Sequence, residues 1–390
     1  MRRKILIALA VVVVSGLVGF FFVLPAVAEG RMNGVGHAPP YVARPRAAEL
    51  HRKLPVADMH ADSLLWGRDL LARGTRGHAD VPRLAEGNVA LQVFAVVTKA
   101  PRGMNIERND SDSDLIIFAA LAQRWPARTW RSLKERALYQ ASRLREAAAR
   151  SGGRLVVVES RADLARHLER RAREPHAGLV AGLLGVEGAH VLEGDPANVE
   201  AMHAAGFRMM SPTHFFDNEM AGSAHGTNKG GLTEAGREMV RRMEARRMLV
   251  DLAHSSARTI DDVLAMATRP VVVSHTGVRG TCDNARNLSD EQLRRVAQTG
   301  GLVGVGYWPT ATCGTDVASI ARAVRHAANV VGVEHVALGS DFDGAVSAPF
   351  DTTGLAQLTD ALLAEGFADE DIAKIMGGNF LRLLSETLPD

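Results

Sequence analysis

Residues 248–277, MLVDLAHSSARTIDDVLAMATRPVVVSHTG, decide the fold. Two short apolar runs in this stretch, 249–252 and 271–274, have the length and the β-branched composition of buried strands. Residues 256–267 between them have the apolar spacing of an amphipathic helix. A strand, a helix and a second strand in this order predict a parallel β-α-β unit.

The same alternation recurs on both sides of this stretch. Eight such units predict one (β/α)₈ TIM-like barrel of the α/β class, although 390 residues would suggest two or three domains by length alone. A doubly wound open sheet is the alternative, and it is disfavoured because no GxGxxG turn follows the first strand. The predicted strands are 56–59, 91–97, 180–186, 208–211, 249–252, 271–274, 302–305 and 336–339, with a small extra strand at 155–158 after a helical pair at 113–150.

The N-terminal 28 residues differ from the rest of the chain. Arg2, Arg3 and Lys4 precede an apolar run over residues 5–24, and small residues at 25–28 complete the pattern of an export signal. The run is also long enough to span a bilayer as an uncleaved anchor, so both alternatives stay open. In either case we expect an exported protein, periplasmic or extracellular, that contacts a membrane only through residues 5–24. Residues 29–46 are predicted to form a flexible tether and residues 47–390 the barrel.

Composition and charge narrow the class of function. Hydrophobic residues make up 46% and charged residues 23%, which is typical of a globular protein. Lys and Arg number 46 against 44 Asp and Glu, and their scatter along the chain excludes a nucleic-acid footprint. Two cysteines without CxxC spacing exclude a disulfide framework. The 14 histidines, beside 3 Tyr and 4 Trp, therefore need a chemical explanation.

Metal-binding side chains follow the predicted strands at the end where barrels place their chemistry. His60 and Asp62 are two residues apart, so on an extended segment they point to the same side. Each candidate is weak alone, because a lone histidine at a strand end is more often a hydrogen-bonded core residue. Together, imidazoles and carboxylates at successive strand ends predict a centre for Zn²⁺ or a related ion. The other members of the set are Glu187, His214, His254, His275 and Asp341, with Asp343 expected to support the last loop.

The remaining histidines provide a contrast. His51, His167, His176, His203 and His326 lie in polar helical or loop contexts, which predicts that they are at the surface. His190 is close to the predicted centre in sequence and has no predicted role.

In this order and spacing the motifs resemble the membrane (renal-type) dipeptidases, which are binuclear zinc peptidases among the amidohydrolase-like barrels. The resemblance covers residues 55–384 and is weakest at 307–309, where the substrate contacts of the family do not carry over. The motifs are DMHAD (58–62), GVEGAH (185–190), TH (213–214) with Asn218, GLTEAGR (231–237), DLAHSS (251–256), SH (274–275), ARNL (285–288), GSDFDG (339–344) and GGNFLR (377–382).

The resemblance implies a zinc-dependent dipeptidase that hydrolyses the peptide bond of dipeptides by attack of a metal-bridging hydroxide. It implies two Zn²⁺, with His60, Asp62 and Glu187 holding one. Glu187 would bridge to the second ion, which His254 and His275 would complete. A small dipeptide is then the expected partner, and a homodimer is compatible with the family.

Three further positions match catalytic and substrate-binding residues of the family. Arg286 would hold the free C-terminal carboxylate through two parallel hydrogen bonds. His214 would stabilise the developing oxyanion, and Asp341 would carry a proton from the water to the departing amine. The resemblance also implies a disulfide between Cys282 and Cys313, with two separate thiols as the alternative.

Two other functions stay open at this point. One is a related binuclear metal amidohydrolase acting on a β-lactam, a lactone or an N-acyl amino acid. The other is a non-catalytic binding protein that kept the barrel and lost the chemistry, which is disfavoured because all five ligands and Asp341 are present.

Overall fold

The structure is a computed structural model that describes residues 1–390. One parallel sheet dominates it, with the strand order β6-β5-β4-β2-β1-β9-β8-β7 and β3 paired to β4 outside that path. A parallel bridge between Asp251 and Val272 connects the two ends of the order, so the sheet curls as in a TIM-like barrel. The strands are β1 (Val56–Ala61), β2 (Val89–Val97), β3 (Leu155–Val157), β4 (Val180–Glu187), β5 (Phe207–Met210), β6 (Leu249–Val250), β7 (Val272–Thr276), β8 (Leu302–Val305) and β9 (Val336–Leu338).

All eight strands predicted for the barrel are present, and so is the small extra strand. One strand is shorter than predicted at its C-terminal end: β6 ends at Val250 rather than at 252. The chain turns immediately after it, and His254 takes a left-handed backbone conformation with φ of 61°. The strand is therefore cut short by the loop that directs His254 toward the centre of the barrel.

Helices follow the strands and cover the outside of the sheet. Local sequence sets where they begin: Ser256 accepts a hydrogen bond from the Thr259 amide, and Ser289 forms a capping box with Gln292. Such a cap stabilises a helix by about 1 kcal/mol. The helices are α1 (Arg2–Val18), α2 (Leu24–Met32), α3 (Pro45–His51), α4 (Val81–Glu86), α5 (Ile116–Ala122), α6 (Leu133–Arg150), α7 (Arg161–Arg173), α8 (Val199–Ala204), α9 (Glu234–Ala245), α10 (Ala257–Met266), α11 (Asp290–Gln298), α12 (Pro309–Thr312), α13 (Val317–Val331), α14 (Leu355–Ala364), α15 (Asp369–Ala373) and α16 (Asn379–Thr387).

The apolar core has two main parts. A cluster of 65 buried residues packs the helices against the outer face of the sheet. A second cluster of 18 buried residues includes inward-facing side chains such as Met59, Leu91 and Leu183, closed by Phe380 and Leu384 of α16. This packed floor fills one end of the barrel, so the opposite end, where the strands terminate, is left for polar side chains.

The N-terminal residues form one long helical segment. Residues Arg2–Met32 are helical, with a mean hydropathy of 2.9 in the most apolar window and none of that window buried. By length and composition the segment could cross a membrane, a property that signal sequences share.

The residues predicted to form a tether contact the barrel. Glu29 is buried, and its carboxylate pairs with Arg68 at 2.7 Å. Val35 forms a parallel bridge with Ala348. Further along, the Asp351 amide donates to the Tyr41 hydroxyl at 3.0 Å.

Two of the histidines predicted to be at the surface are buried, and for these the prediction is wrong. The ring of His51 lies between Thr359 and the Gly87 carbonyl, and His167 Nε2 lies 2.9 Å from the Ala90 carbonyl oxygen. A single backbone or hydroxyl partner satisfies each ring nitrogen concerned, and polar flanking residues in the sequence do not reveal such a partner.

Candidate metal centre

The five predicted metal ligands lie together at the C-terminal end of the barrel strands. His60 and Asp62 come from the end of β1, Glu187 is the last residue of β4, and His275 is in β7. His254 follows β6 by four residues. All five side chains are at most 5% exposed. The cluster therefore has little contact with bulk solvent.

Glu187 is at the centre of the cluster. Its Oε1 lies 3.1 Å from His254 Nε2, 3.3 Å from His275 Nε2 and 3.6 Å from His60 Nε2. Its Oε2 lies 3.3 Å from His214 Nε2. Imidazole nitrogens therefore surround both oxygens of a single carboxylate.

The ligand atoms fall into three overlapping groups, in each of which all atoms lie within 4.8 Å of one another. Each group contains at least one imidazole and one carboxylate, which is a donor set that suits Zn²⁺ and related ions. The groups are His60, Glu187 and His275; Glu187, His214 and His254; and His60, Asp62 and Asp341.

Unpaired donors in the cluster fit a bound cation. His254 Nε2 and His275 Nε2 face each other at 2.9 Å. The His60 Nε2 and Asp62 Oδ1 atoms are buried without a hydrogen-bond partner. Buried polar atoms without hydrogen-bond partners are unfavourable, and a metal ion bound between them would remove the penalty.

Ser274 and Asp251 orient two of the rings. The Ser274 hydroxyl donates its only proton to Asp251 Oδ2 at 2.6 Å, so its oxygen must accept from its other neighbours. Those neighbours are His275 Nδ1 at 2.9 Å and His60 Nδ1 at 3.3 Å. A proton on Nδ1 leaves the Nε2 lone pair free to point at the cluster.

Sequence reasoning assigned no role to Asp251 and Ser274, although both lie inside quoted motifs. It also missed Asp58, which accepts hydrogen bonds from the His60 amide and the Ser340 amide, both at 3.0 Å. The sequence does contain a signal: a carboxylate lies inside an apolar strand, two residues before a candidate histidine, as in Asp58-Met59-His60. Its meaning depends on partners from neighbouring strands, which the sequence does not identify.

The carboxylates of the cluster repel one another in a dry environment. Burial, followed by the charge of Asp62, raises the pKa of Glu187 well above its ordinary value. Burial raises the pKa of Asp341 to about 8, with Asp62 adding to the effect. Burial likewise raises the pKa of Asp62. A divalent cation is the partner that this excess of negative charge lacks.

Arg286 and Trp308 form one wall of the centre. Arg286 Nη2 donates to the His275 carbonyl at 2.9 Å and lies 3.2 Å from His254 Nε2. The guanidinium group stacks 5.3 Å from the centre of the Trp308 ring. Burial lowers the pKa of Arg286 to about 10, so the group stays charged at neutral pH. It is thus a buried cation beside the cluster, able to pair with an anionic ligand.

Asp343 lies two residues from Asp341 and is neutralised by protein groups. It accepts from the Ser63 hydroxyl at 2.5 Å and from the His78 amide at 2.6 Å, and it pairs with Arg68. Burial alone would raise its pKa, but the Arg68 guanidinium and these hydrogen bonds hold the pKa well below its usual range. The expectation that Asp343 supports the loop agrees with these contacts.

Cys282 and Cys313 lie in the loops after β7 and β8. Their sulfur atoms are bonded at 2.12 Å, across a sequence separation of 31 residues.

A cavity of about 620 Å³ adjoins the cluster, and we call it the vestibule. At its polar end it is lined by Glu187, Arg286 and Asp341, and 18 of its 30 lining residues are hydrophobic. The other end reaches Leu24 and Met32 of the N-terminal helical segment. The centre is therefore open on one side, where a substrate of moderate size can approach.

Known proteins share these features. The profile described as membrane dipeptidase (peptidase family M19) matches residues 44–388. A dipeptidase of Aspergillus oryzae, aclJ, is 27% identical over 362 residues, covering 86% of this chain and 78% of its own. An uncharacterized protein in the pqqA 5′ region of Klebsiella pneumoniae is 32% identical over 261 residues, covering 63% of this chain and 93% of its own.

Solved structures agree with the fold. A metallopeptidase from Rhodobacter sphaeroides, liganded with a phosphinate mimic of the dipeptide L-Ala-D-Ala, has a TM-score of 0.67 and 25% identity, covering 86% of this chain and 99% of its own. The probable dipeptidase PvdM from Pseudomonas aeruginosa has a TM-score of 0.72 over 88% of this chain and 98% of its own. Its identity is 20%, so that likeness concerns the fold alone.

Proposed function

The chain belongs to the membrane dipeptidase family, peptidase family M19, and is a metallo-dipeptidase hydrolase; on this premise we propose that it cleaves dipeptides with two Zn²⁺ bound at the cluster around Glu187. The observation that carries the proposal is the convergence of three imidazole Nε2 atoms on Glu187 Oε1, at 3.1, 3.3 and 3.6 Å. No cationic side chain neutralises that carboxylate group directly, and the orphaned Nε2 and Oδ1 atoms beside it need a cation.

In this proposal His60, Asp62 and Glu187 would hold one ion, and Glu187, His254 and His275 would hold the other. Ions bound there would lower the pKa of a bound water and polarise the carbonyl of the substrate. The tautomer of His275 is fixed through Ser274, so its Nε2 is available without a change of protonation.

The side chains of the site then bind and orient the dipeptide. Arg286 pairs with the free C-terminal carboxylate, and the Trp308 ring beneath the guanidinium holds that group in place. Because Arg286 Nη2 lies 3.2 Å from Nε2 of His254, a proposed ligand, a carboxylate held by Arg286 would lie close to the metal site, as the short C-terminal side of a dipeptide requires. This favours dipeptides over longer peptides.

Two residues act on protons and charge during hydrolysis. Asp341 Oδ1 lies 4.0 Å from His60 Nε2, at the edge of the cluster, where it accepts the proton of the attacking water and passes it to the departing amine. His214, buried beside Glu187 Oε2, donates to the oxyanion that develops on the carbonyl oxygen. Burial of the whole site excludes competing water and strengthens each of these interactions.

The experiment that tests this function combines metal analysis with a substrate panel. Zinc content is measured on the purified chain, and hydrolysis is followed for dipeptides, tripeptides, N-acyl amino acids, a lactone and a β-lactam with a dehydropeptide-like bond. We expect two Zn²⁺ per chain and turnover of dipeptides but not of tripeptides. Stoichiometric zinc without turnover of any dipeptide would exclude the proposal and favour the related amidohydrolase activities.

We also infer that the chain is exported and that residues 1–28 are either a cleaved signal or a membrane anchor, ahead of a segment at 29–46 and the catalytic barrel at 47–390. The apolar helical segment Arg2–Met32 supports this inference. Intact-mass analysis of the protein recovered from membrane and soluble fractions distinguishes the cleaved from the anchored form.

A further inference from the structure

The end of the N-terminal helical segment and the residues after it pack on the loop that carries Asp341. We call residues 29–41 the strap, and we call residues 339–351, which follow β9, the β9 loop. The strap lies outside the residues that the dipeptidase profile matches, which begin at 44. A role for the strap therefore has to be argued from its contacts in this chain.

Backbone hydrogen bonds hold the strap along the C-terminal half of the β9 loop. The Ala348 amide donates to the Gly34 carbonyl at 2.9 Å, and the Gly36 amide donates to the Ala348 carbonyl at 2.8 Å. The His37 amide donates to the Pro349 carbonyl at 3.1 Å. The strap thus pairs with the loop as a short parallel strand would.

A side chain of the strap reaches the middle of the β9 loop. Asn33 is buried, and its Oδ1 accepts a hydrogen bond from the Ala345 amide at 2.9 Å. Ala345 is four residues after Asp341 and has a left-handed backbone conformation, with φ of 61°. Because a residue other than glycine keeps this conformation only where contacts impose it, the bond from Asn33 helps to fix the loop beside Asp341.

Glu29 reaches the same loop through Arg68. Its Oε1 lies 2.7 Å from Arg68 Nε, and the Arg68 guanidinium pairs through Nη2 with Asp343. These three side chains are at most 8% exposed, so water screens their charges only weakly. Arg76, a second cation near Glu29, is farther away at 3.5 Å and is 44% exposed. The Arg68 guanidinium therefore connects a carboxylate of the strap to a carboxylate of the β9 loop.

Both attachments lie close to Asp341 in the chain. Asp343 and Ala345 are two and four residues beyond it, and Asp341 itself has φ of 58°. The five proposed metal ligands lie on or after β1, β4, β6 and β7, so none of them is in the β9 loop. Since a displacement of about 1 Å of a reacting group can cost ~100-fold in rate, a small movement of this loop would affect proton transfer more than metal binding.

We propose that the strap positions Asp341 for proton transfer, with Glu29 acting through Arg68 and Asp343, and Asn33 acting through the Ala345 amide. Glu29 and Asn33 are positioning residues, since neither of them lines the vestibule. The proposal rests on the dipeptidase function and on Asp341 as the proton carrier.

Glu29→Gln in the full-length chain is the first test, because it removes the charge and keeps the shape of the side chain. On the best dipeptide of the substrate panel, we expect kcat to fall about ten- to hundredfold, with KM changed less than about threefold and zinc content unchanged. Glu49→Gln, on a side chain that is 63% exposed, is the matched control and should keep the kcat of the unmodified chain. Intact mass shows that each purified protein contains residue 29.

Two outcomes of this test would overturn the role of Glu29. One is a kcat in Glu29→Gln equal to that of the unmodified chain. The other is a loss of activity that follows a loss of zinc, since the strap would then support the metal centre as a whole. Urea unfolding identifies the conditions in which each variant is folded, so that kcat is compared between folded proteins.

Asn33→Ala tests the other attachment independently. It removes the acceptor of the Ala345 amide, and we expect kcat to fall about tenfold with zinc content unchanged. Asn329→Ala, at an exposed position of α13, is the matched control. A variant that loses stability and keeps its kcat would show that Asn33 stabilises the loop without positioning Asp341.

A double substitution separates positioning of Asp341 from a general loosening of the site. If Glu29 acts through Asp341, Glu29→Gln should lower kcat less than about twofold in a chain that already carries Asp341→Asn. Equal losses in the unmodified and the Asp341→Asn backgrounds would overturn the proposal. Full activity of Asp341→Asn alone would also overturn it, because Asp341 would then not be the proton carrier.

Failure of this proposal is distinguishable from failure of the dipeptidase function. If the zinc-loaded unmodified chain hydrolyses a dipeptide and both strap variants keep its kcat, only the role of the strap is wrong. If the zinc-loaded unmodified chain hydrolyses no dipeptide, the dipeptidase function is wrong and the role of the strap falls with it.

Discussion

Two clusters of buried charge lie side by side at the C-terminal end of the barrel, and they differ in what neutralises them. Asp343 is enclosed by the Arg68 guanidinium, the Ser63 hydroxyl and the His78 amide. Glu187 and Asp341 are also buried, but imidazoles and other carboxylates surround them, and polar atoms without hydrogen-bond partners remain beside them. The first cluster is complete within the chain, whereas the second needs a cation from outside.

The comparison shows that one loop carries both an aspartate of the cluster, Asp341, and an aspartate that stabilises the loop, Asp343. Asp341 and Asp343 are two residues apart, and both have left-handed backbone conformations, with φ of 58° and 65°. Such conformations cost on the order of 1–3 kcal/mol each and persist only where surrounding contacts impose them. The satisfied contacts of Asp343 hold the loop, and this support keeps Asp341 at the edge of the metal cluster.

Replacing the bridging carboxylate should have the largest effect. If the proposed site is right, Glu187→Gln is expected to reduce hydrolysis ~10,000-fold or more and zinc content below two per chain, because a neutral amide would no longer bridge two ions. The metal-free variant should be as stable as the unmodified metal-free chain or about 1–2 kcal/mol more stable, because the amide removes repulsion with Asp62 and Asp341. Zinc analysis, kinetics and urea unfolding measure these effects.

Glu234→Gln is the control for that change, since the Glu234 side chain is 92% exposed. A metal-free Glu187→Gln protein that is several kcal/mol less stable would contradict the idea that this cluster is uncompensated in the absence of metal.

Removing the proton carrier should come next. Asp341→Asn is expected to lower kcat by about 100- to 10,000-fold, the range for loss of a general acid or base, while both Zn²⁺ stay bound. Asp283→Asn, on a side chain that is 83% exposed, provides the control. Full activity in the zinc-loaded Asp341→Asn protein would mean that another group carries the proton.

The same Asp-to-Asn change at Asp343, in the neighbouring cluster, should act mainly on the stability of the fold. Asp343→Asn removes one of the two carboxylates that pair closely with the buried Arg68 and leaves Glu29 as the other, so we expect a loss of about 2 kcal/mol in the free energy of unfolding, with or without zinc. The exposed pair of Arg46 and Asp369 offers a matched Asp369→Asn control, which should cost about 0–1 kcal/mol. Equal losses in the two variants, measured by urea unfolding, would remove the distinction between the clusters.

The smallest expected effect is at His167, a buried histidine that lies outside the metal cluster and forms no ion pair. Burial lowers the pKa of His167 from 6.5 to about 4, so the unfolded chain takes up the proton first as the pH falls. Its contribution to stability is therefore present above pH 6.5 and is lost as the pH falls toward 4. His167→Asn should reduce the stability difference between pH 8 and pH 5 by about 1–2 kcal/mol. An unchanged difference in denaturant titrations would show that His167 does not titrate this way.

Much of the fold and of the candidate site could be predicted from local pattern. The eight strands were expected from apolar runs, and the parallel sheet and the family are confirmed. His60, Asp62, Glu187, His254 and His275 were expected at strand ends, and the structure brings them together. Their convergence follows from topology, because parallel strands in one sheet deliver their C-terminal residues to one place.

Contacts between residues that are far apart in the sequence could not be predicted from local pattern. Asp251 orients His275 through Ser274, and Arg68 neutralises Asp343 across 275 residues of sequence. The burial of His167 against the Ala90 carbonyl was missed for the same reason. In each case the meaning of a polar side chain depends on a partner that no local pattern indicates.

The sequence by itself determined the class of fold, the family and the residues that converge at the strand ends, because periodicity and motif order are local properties. The tertiary structure alone decided which carboxylates are neutralised by the chain and which are left for a metal, since that depends on the groups brought within a few ångströms of each one. It also decided that the N-terminal helical segment forms a wall of the vestibule. Charge and shape complementarity of this kind arise only when the strands and loops have packed.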